Sequence, residues 1–198
     1  MYNIESPSFI EGINLPPPFE LTEFSAGALR AFQKYLFCIH DIGAPFACVN
    51  INSYGGDTGV MSGFISLMES YRDKGIKFIG VVTGFALSAG ASVFLFCDQR
   101  YIGVNGILMI HDSQISVGDT RVAGVKNFAD FVTIQDKSAN EQISLHLKKR
   151  KGWLSAELDK HKGSDWFLNA TQAKDLGLAE IGIPNFNVRI SAQFEITY

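Results

Sequence analysis

One serine lies where a nucleophile would be well placed. Residues 84–90 (GFALSAG) join a β-branched apolar segment to an Ala- and Gly-rich one, with Ser88 near the junction. A nucleophilic serine on a sharp strand-to-helix turn needs small neighbours, because the backbone is crowded there. Ala89 and Gly90 meet that need, and the first N–H groups of a helix can face a developing oxyanion. The strict G-x-S-x-G pattern is absent, because Ala86 stands at its first glycine. A plain helix cap is therefore the alternative role for Ser88.

Two other segments hold groups that such a serine requires. His111 ends the apolar run ILMIH, and a histidine there can act as a general base. Its alternative role is a core or surface histidine that makes a single hydrogen bond. Gly55 and Gly56 follow another apolar run, and paired glycines let a backbone N–H come close to a substrate. A simple turn is the alternative for the glycines. A phosphate loop is not indicated, because neither GK[ST] nor GxGxxG is present.

Other kinds of site find little support in the composition. No His, Cys or carboxylate spacing is typical of a metal site, so none is predicted. The net charge of -3 makes nucleic acid an unexpected partner, and the KKRK run at 148–151 is interpreted as a solvated helix end rather than a nucleic-acid patch. Cys38, Cys48 and Cys97 lie in apolar stretches without a CxxC motif. They are predicted to be buried free thiols in a reducing compartment.

The segments that would position these groups alternate between strand and helix. The chain of 198 residues fits one domain, and its 46% hydrophobic content supports a real core. The predicted elements are a helix over 22–41 with Thr22 as N-cap, a strand over 46–52, a helix from Asp57 or Thr58 to about Arg72, a strand over 76–83, a helix over 88–97, and short strands over 101–104 and 107–111. This order predicts an α/β layer with mostly parallel pairing and right-handed crossovers.

The rest of the chain is predicted to be mainly helical. A long helix covers about 121–150 and ends at the basic run and Gly152. A short helix starts near Leu154, and another follows Asn169, which forms a capping-box-like pair with Gln172. Short strands are predicted before the proline run, over 8–14, and in the tail, over about 183–198.

One segment is long and apolar enough to be considered as a membrane span. Residues 78–97 contain no charge, which meets the length criterion. A break at Gly84 and the lack of flanking basic clusters argue against a span. A buried strand that turns into a buried helix is predicted instead, and no membrane association.

Taken in order, the motifs of this sequence resemble those of the ClpP family of serine peptidases. INSYGG, GFALSAGA, ILMIHD and SDWFLNATQAKDLGLAE follow one another between residues 46 and 182. Members of that family typically carry INSPGG, G-x-A-A-S-x-G-A, RVMIHQP and RDxFLSAxEAxEYGLID in the same order and at similar spacings. Each motif is weak alone, and the four together are specific.

The resemblance implies a role for each position that matches a family motif. Ser88 matches the nucleophile, His111 the general base, and Asp165 the acid that orients the histidine. Gly56 and Ala89 match the backbone donors of the oxyanion hole, and Gly55 with Gly56 would line the substrate. The role of Asp165 rests on the resemblance alone.

The resemblance also implies a fold and an assembly. The expected fold is the ClpP/crotonase-like spiral of ββα units, as one domain over 1–198, with a protruding strand-helix handle over about 114–150. It implies cytoplasmic heptameric rings, stacked in pairs, that cleave unfolded polypeptides without a cofactor. A hexameric AAA+ ATPase is the implied unfoldase partner.

Several positions depart from the family pattern. Tyr54 replaces a proline, Ser164 replaces an arginine, and Asp112-Ser113 replaces Gln-Pro after the histidine. Asp112 is a potential competitor for His111, although adjacent strand residues point to opposite faces. The first family strand is expected near Phe9, which implies a shortened N-terminal segment.

Two alternatives to an active peptidase stay open from the sequence. The first is a catalytically silent ClpP-like structural subunit, which would keep the fold and the rings. The second is a crotonase-type enzyme acting on acyl-CoA, whose oxyanion hole also uses paired backbone amides. No CoA site is apparent in the sequence.

Overall fold

A computed structural model describes residues 15–113, 122–161 and 164–184. The strands are β1 Phe19–Leu21, β2 Phe46–Ser53, β3 Lys77–Leu87, β4 Gln99–Ile102, β5 Ile107–Ile110, β6 Trp166–Asn169 and β7 Glu180–Ile181. The helices are α1 Ala26–Asp41, α2 Thr58–Arg72, α3 Ala89–Leu95, α4 Val122–His146, α5 Trp153–Lys160 and α6 Ala170–Asp175. The predicted α/β class with mostly parallel pairing is confirmed.

Strand β3 organises the sheet because it changes neighbour along its length. The main order is β1-β2-β3-β4-β7, with every pair parallel. Residues 79–82 of β3 pair with β4, whereas residues 85–87 pair with β5. Strand β5 in turn pairs antiparallel with β6. The end of β3 therefore belongs to a separate branch of the sheet, and this branch carries the candidate site.

The main core lies on one face of the sheet. Along β2 the alternate residues Ala47, Val49, Ile51 and Ser53 are buried, as expected for a strand covered on that face. Phe32 of α1 and Phe64 of α2 are fully buried there, with ring centroids 4.8 Å apart. Packing of this kind fixes α1 and α2 against the sheet.

Two predicted helix boundaries are wrong. Helix α1 starts at Ala26 rather than at residue 22, because residues 19–21 pair with β2 as a strand. Its N-cap is Ser25, whose Oγ accepts the N–H of Ala28 at 3.0 Å. Helix α4 ends at His146, before the basic run, and Lys148 has a left-handed φ of 56°.

Other local predictions are confirmed. Asp57 caps α2, and Asn169 and Gln172 form a complete capping box at α6. Residues 78–97 form the strand and helix that were predicted in place of a membrane span. Within the described ranges, no helix has the length and apolar character needed to cross a membrane.

Some elements were missed, and some predictions cannot be compared. Strands β6 and β7 have no counterpart among the predicted elements. The strand predicted over 8–14 and the strand part of the handle lie outside the described residues. Of the tail, only residues 183 and 184 are described, and neither belongs to a strand.

The basic run is partly engaged within the chain. The ammonium of Lys149 donates to the carbonyl of Leu176 at 2.9 Å and lies over the ring of Trp153. Lys151 pairs with Glu141 at 2.6 Å. These contacts join the ends of α4, α5 and α6, which gives the run a structural role.

The prediction of three buried thiols is wrong for Cys38. Cys38 is exposed, because α1 buries Phe32, Leu36 and Ile39 and turns its other faces outward. Cys48 and Cys97 are buried free thiols. Burial, with a smaller contribution from Glu20, raises the pKa of Cys48 to about 12. Burial also raises the pKa of Cys97.

Thiol alkylation is therefore expected to distinguish Cys38 from the other two. Treatment of the native chain with iodoacetamide near neutral pH should give one adduct, at Cys38, because the thiolate is the reactive form. The chain unfolded in denaturant should give three adducts. Peptide mass analysis measures both, and labelling of native Cys48 or Cys97 as fast as Cys38 would contradict the burial.

Candidate active site

Ser88 occupies a strained turn between β3 and α3. Its backbone has φ 54° and ψ -121°, which is uncommon for a residue other than glycine. The N–H of Ser88 donates to the carbonyl of Met109 in β5 at 2.8 Å, which holds the turn in place. Strain of this kind persists where surrounding structure enforces it, and it is concentrated at functional sites.

The Ser88 hydroxyl contacts a histidine instead of capping the helix. Ser88 is the N-cap residue of α3, yet it makes no side-chain capping hydrogen bond. Its Oγ lies 2.7 Å from Nε2 of His111, which immediately follows β5. The alternative role of Ser88 as a simple cap is therefore not what the geometry shows. A hydroxyl and an imidazole at this distance can exchange a proton.

Asp165 immediately precedes β6, as His111 immediately follows β5. The β5–β6 register pairs Ile110 with Trp166, and continued by one residue it places His111 opposite Asp165. Directly opposed residues of an antiparallel pair share one face. Asp165 is exposed, and no hydrogen bond joins it to His111 in the part of the chain that is described.

The paired glycines press against the serine turn. Gly55 has φ 97°, and a methyl group built on it would lie 2.7 Å from the carbonyl oxygen of Leu87 and 2.8 Å from Cβ of Ser88. Gly56 has φ 152° and forms a β-bridge with Phe24. A methyl group on Gly56 would lie 2.9 Å from Cβ of Phe24. Both positions therefore require glycine, for conformation and for space.

Two polar side chains of the same segment, to which the sequence assigned no separate role, hold this loop. Asn52 Oδ1 accepts the N–H of Phe85 at 3.2 Å, where the pairing of β2 and β3 becomes irregular. Ser53 is fully buried, and its Oγ accepts the N–H of Gly55 at 3.2 Å. These bonds fix the glycines relative to the end of β3. The sequence feature that could have indicated this role is the position of Asn52 and Ser53 at the end of an apolar strand.

Gly55→Ala is expected to reduce the rate at which Ser88 reacts with an acylating probe by about 100-fold, since a misplacement of 1 Å at a reacting group can cost that much. The added methyl group must push the Leu87 carbonyl or Ser88 away. Gly75→Ala is the matched control. Its φ of 89° imposes a similar backbone strain, and its methyl group would meet nothing within 4 Å. Equal losses in the two variants would show that strain alone, and not contact with the serine turn, causes the effect.

No group of three or more His, Cys, Asp or Glu residues suited to a metal ion occurs among the described residues. The contact between Ser88 and His111 supports proton transfer from the hydroxyl to the imidazole. The other histidines pack against aromatic rings: His40 against Tyr71, His146 on Phe96, and His161 on Trp166.

The comparison with known families agrees with the motif order. The family model described as Clp protease matches residues 45–183, which is more than half of the chain. No curated protein matches the chain. The matched range contains strands β2 to β7 and all of the site residues discussed above, and the mostly parallel α/β sheet is the ClpP-type fold. The chain belongs to the Clp protease family.

Proposed function

We propose that this protein is the ATP-independent peptidase subunit of a ring-shaped serine protease that cleaves unfolded polypeptides. The observation that carries the proposal is the 2.7 Å contact between Ser88 Oγ and His111 Nε2, on a strained turn of a Clp protease domain. A serine hydroxyl needs an adjacent base to become nucleophilic. His111 is that base here.

The proposed reaction is acyl transfer in two steps. Nε2 of His111 takes the proton of Ser88 while Oγ attacks the peptide carbonyl carbon. The resulting imidazolium gives this proton to the leaving amine nitrogen as the peptide bond breaks, which leaves an acyl-serine. Water then loses a proton to His111 and attacks the ester, and His111 returns the proton to Ser88. Asp165 would accept a hydrogen bond from Nδ1 and so favour the required tautomer.

Backbone amides would stabilise the oxyanion in both steps. Gly56 and Ala89 are the proposed donors, from the two backbone segments that meet at the serine turn. Gly55 is the poorer candidate, because its N–H is already donated to Ser53 Oγ. Its close approach to the turn supports this arrangement, since a methyl group on Gly55 would lie 3.1 Å from the nitrogen of Ala89. Gly55 and Gly56 would also line the bound peptide.

Fluorophosphonate labelling tests the nucleophile directly. The native chain should gain one adduct by intact-mass analysis, and peptide mapping should place it on Ser88. Ser88→Ala should gain none, and Ser92→Ala, on the same helix, should label like the native chain. A folded native chain that stays unlabelled, or that carries the adduct elsewhere, would reject the proposed nucleophile.

The proposed assembly is a heptameric ring stacked as a pair and fed by an AAA+ unfoldase. Family membership supports it, as does the apolar surface of α4, where Phe128, Phe131 and Ile134 are 51%, 51% and 69% exposed in the single chain. Native mass spectrometry would give the copy number as a multiple of 21.8 kDa. Short peptides should be cleaved without ATP, and folded proteins only with ATP and an unfoldase.

A silent structural subunit is the second candidate. The observation that favours it is the missing hydrogen bond between His111 and Asp165 among the described residues. A silent subunit would form the same oligomer and would not label at Ser88. Labelling that appears only after a partner is added would instead indicate a triad that the partner aligns.

A further inference from the structure

A carboxylate on the long helix holds the segment that follows His111. Asp136 of α4 accepts two hydrogen bonds from Ser113, one from its N–H at 2.9 Å and one from its Oγ–H at 2.5 Å. Both carboxylate oxygens are used, one by each donor. Hydrogen bonds to an ionised acceptor are stronger than neutral ones, and a two-point contact also fixes orientation.

This two-point contact of Ser113 with Asp136, called the clamp below, lies two residues beyond the proposed base, His111. On its other side, His111 is preceded by Ile110, which pairs with Trp166 in the sheet. His111 is therefore held between a strand that ends at residue 110 and a clamp at residue 113. Neither the strand pairing nor the clamp involves the imidazole ring. Both can therefore fix the position of the ring, while its nitrogen Nε2 contacts Ser88.

The two ends of α4 are held by different contacts. The C-terminal end of α4 is anchored separately, by buried Ile143 and Leu147 and by His146, whose Nε2 lies 3.1 Å from the carbonyl oxygen of Cys97. Toward the other end of the helix, Val132 is buried, and the Ser113–Asp136 pair is the hydrogen-bonded link between the described part of α4 and the segment that follows β5. Ser113 makes this link with its N–H, which a proline at that position would lack.

We propose that Asp136 is a positioning residue for the reaction of Ser88. It fixes the backbone at Ser113 and thereby keeps the imidazole of His111 within hydrogen-bonding distance of Ser88 Oγ. This inference rests on the proposed function, because it concerns the same serine and histidine.

The kinetic test uses variants that remove one or both hydrogen bonds. Asp136→Ala in the full-length assembly should lower kcat for a peptide about 10- to 100-fold with KM nearly unchanged, because binding groups are untouched and the base is misplaced. Ser113→Ala should lose less, since its N–H remains, and Ser113→Thr, which keeps both donors, should retain activity. The double variant Ser113→Ala/Asp136→Ala should be no worse than Asp136→Ala alone.

Asp130→Ala is the matched control, because it removes an exposed carboxylate from the same helix. It should leave kcat unchanged. Native mass and circular dichroism show whether each variant is folded and assembled. If Asp136→Ala does not fold, the comparison of Ser113→Ala with Ser113→Thr decides the question. Equal activity of these two variants at the native level would overturn the proposal.

A spectroscopic test separates the positioning role from the peptidase activity. In 15N-histidine spectra at fixed pH, Ser88→Ala should shift the Nε2 signal of His111 in the native background and should no longer shift it in the Asp136→Ala background. A Ser88-dependent shift that persists without Asp136, or one absent from the native chain, overturns the positioning role. If the shift depends on Asp136 while the native chain neither labels nor cleaves, the peptidase function fails and the positioning role stands.

Discussion

His111→Ala is expected to slow peptide hydrolysis by about 10⁴-fold or more, as removal of the base from a serine triad typically does. The physical reason is that Ser88 then keeps its proton, because Nε2 of His111, 2.7 Å from Oγ, is the atom proposed to accept it. Initial rates of peptide cleavage and second-order rates of fluorophosphonate labelling should both fall. Residual activity would come from substrate binding and the backbone donors alone.

A double variant tests whether Ser88 and His111 act together or contribute independently to the rate. If Ser88 and His111 act together, Ser88→Ala/His111→Ala should be no slower than Ser88→Ala. His40→Ala is a suitable control, because His40 is exposed and its ring contact is with Tyr71. A loss of less than about 10-fold in His111→Ala would remove the histidine from the mechanism, given the size of general-base effects.

The sequence was informative where chemistry and local pattern coincide. Ser88 and His111 were identified because each follows a run of apolar residues that becomes a strand, β3 and β5 respectively. Neighbouring parallel strands bring their carboxyl ends to one edge of the sheet, where sites of α/β proteins form. The caps at Asp57 and Asn169 were likewise readable, because a cap depends on residues three or four positions apart.

Elements whose existence depends on distant partners were not predictable in this way. Strand β1 forms because Phe19–Leu21 pairs with Val49–Ile51, and this pairing shortens α1 at its start. Strand β6 has only four residues and pairs with β5, which is more than fifty positions earlier. A short, half-exposed segment has too weak a period to be recognised alone.

The same reason explains which site residues were missed. Asp136 meets Ser113 across 23 positions and Asn52 meets Phe85 across 33, and neither pair has a sequence motif. Asp165 was proposed as a site residue only through the resemblance to the ClpP family. Its position opposite His111 follows from the β5–β6 register continued by one residue, and no local sequence pattern encodes that register.

Asp165→Asn is expected to lower kcat by about 10³- to 10⁴-fold with little change in KM, because an amide can donate to Nδ1 and so favour the wrong histidine tautomer. The register that places His111 opposite Asp165 is the structural basis. The two side chains are not hydrogen-bonded in the described part of the chain, so the expected loss depends on a contact that forms only when a peptide binds. Steady-state cleavage of one peptide by the assembled protein measures the effect.

Asp112→Asn is the matched control, because Asp112 is exposed, carries the same charge and is adjacent to His111. As the next residue along the chain it should point away from the face that His111 shares with Asp165. We therefore expect Asp112→Asn to stay within a few-fold of the native kcat. A larger loss in Asp112→Asn than in Asp165→Asn would reassign the acid to Asp112. Full activity in both variants would mean that Ser88 and His111 work as a pair, and that the register of β6 serves the sheet and not the reaction.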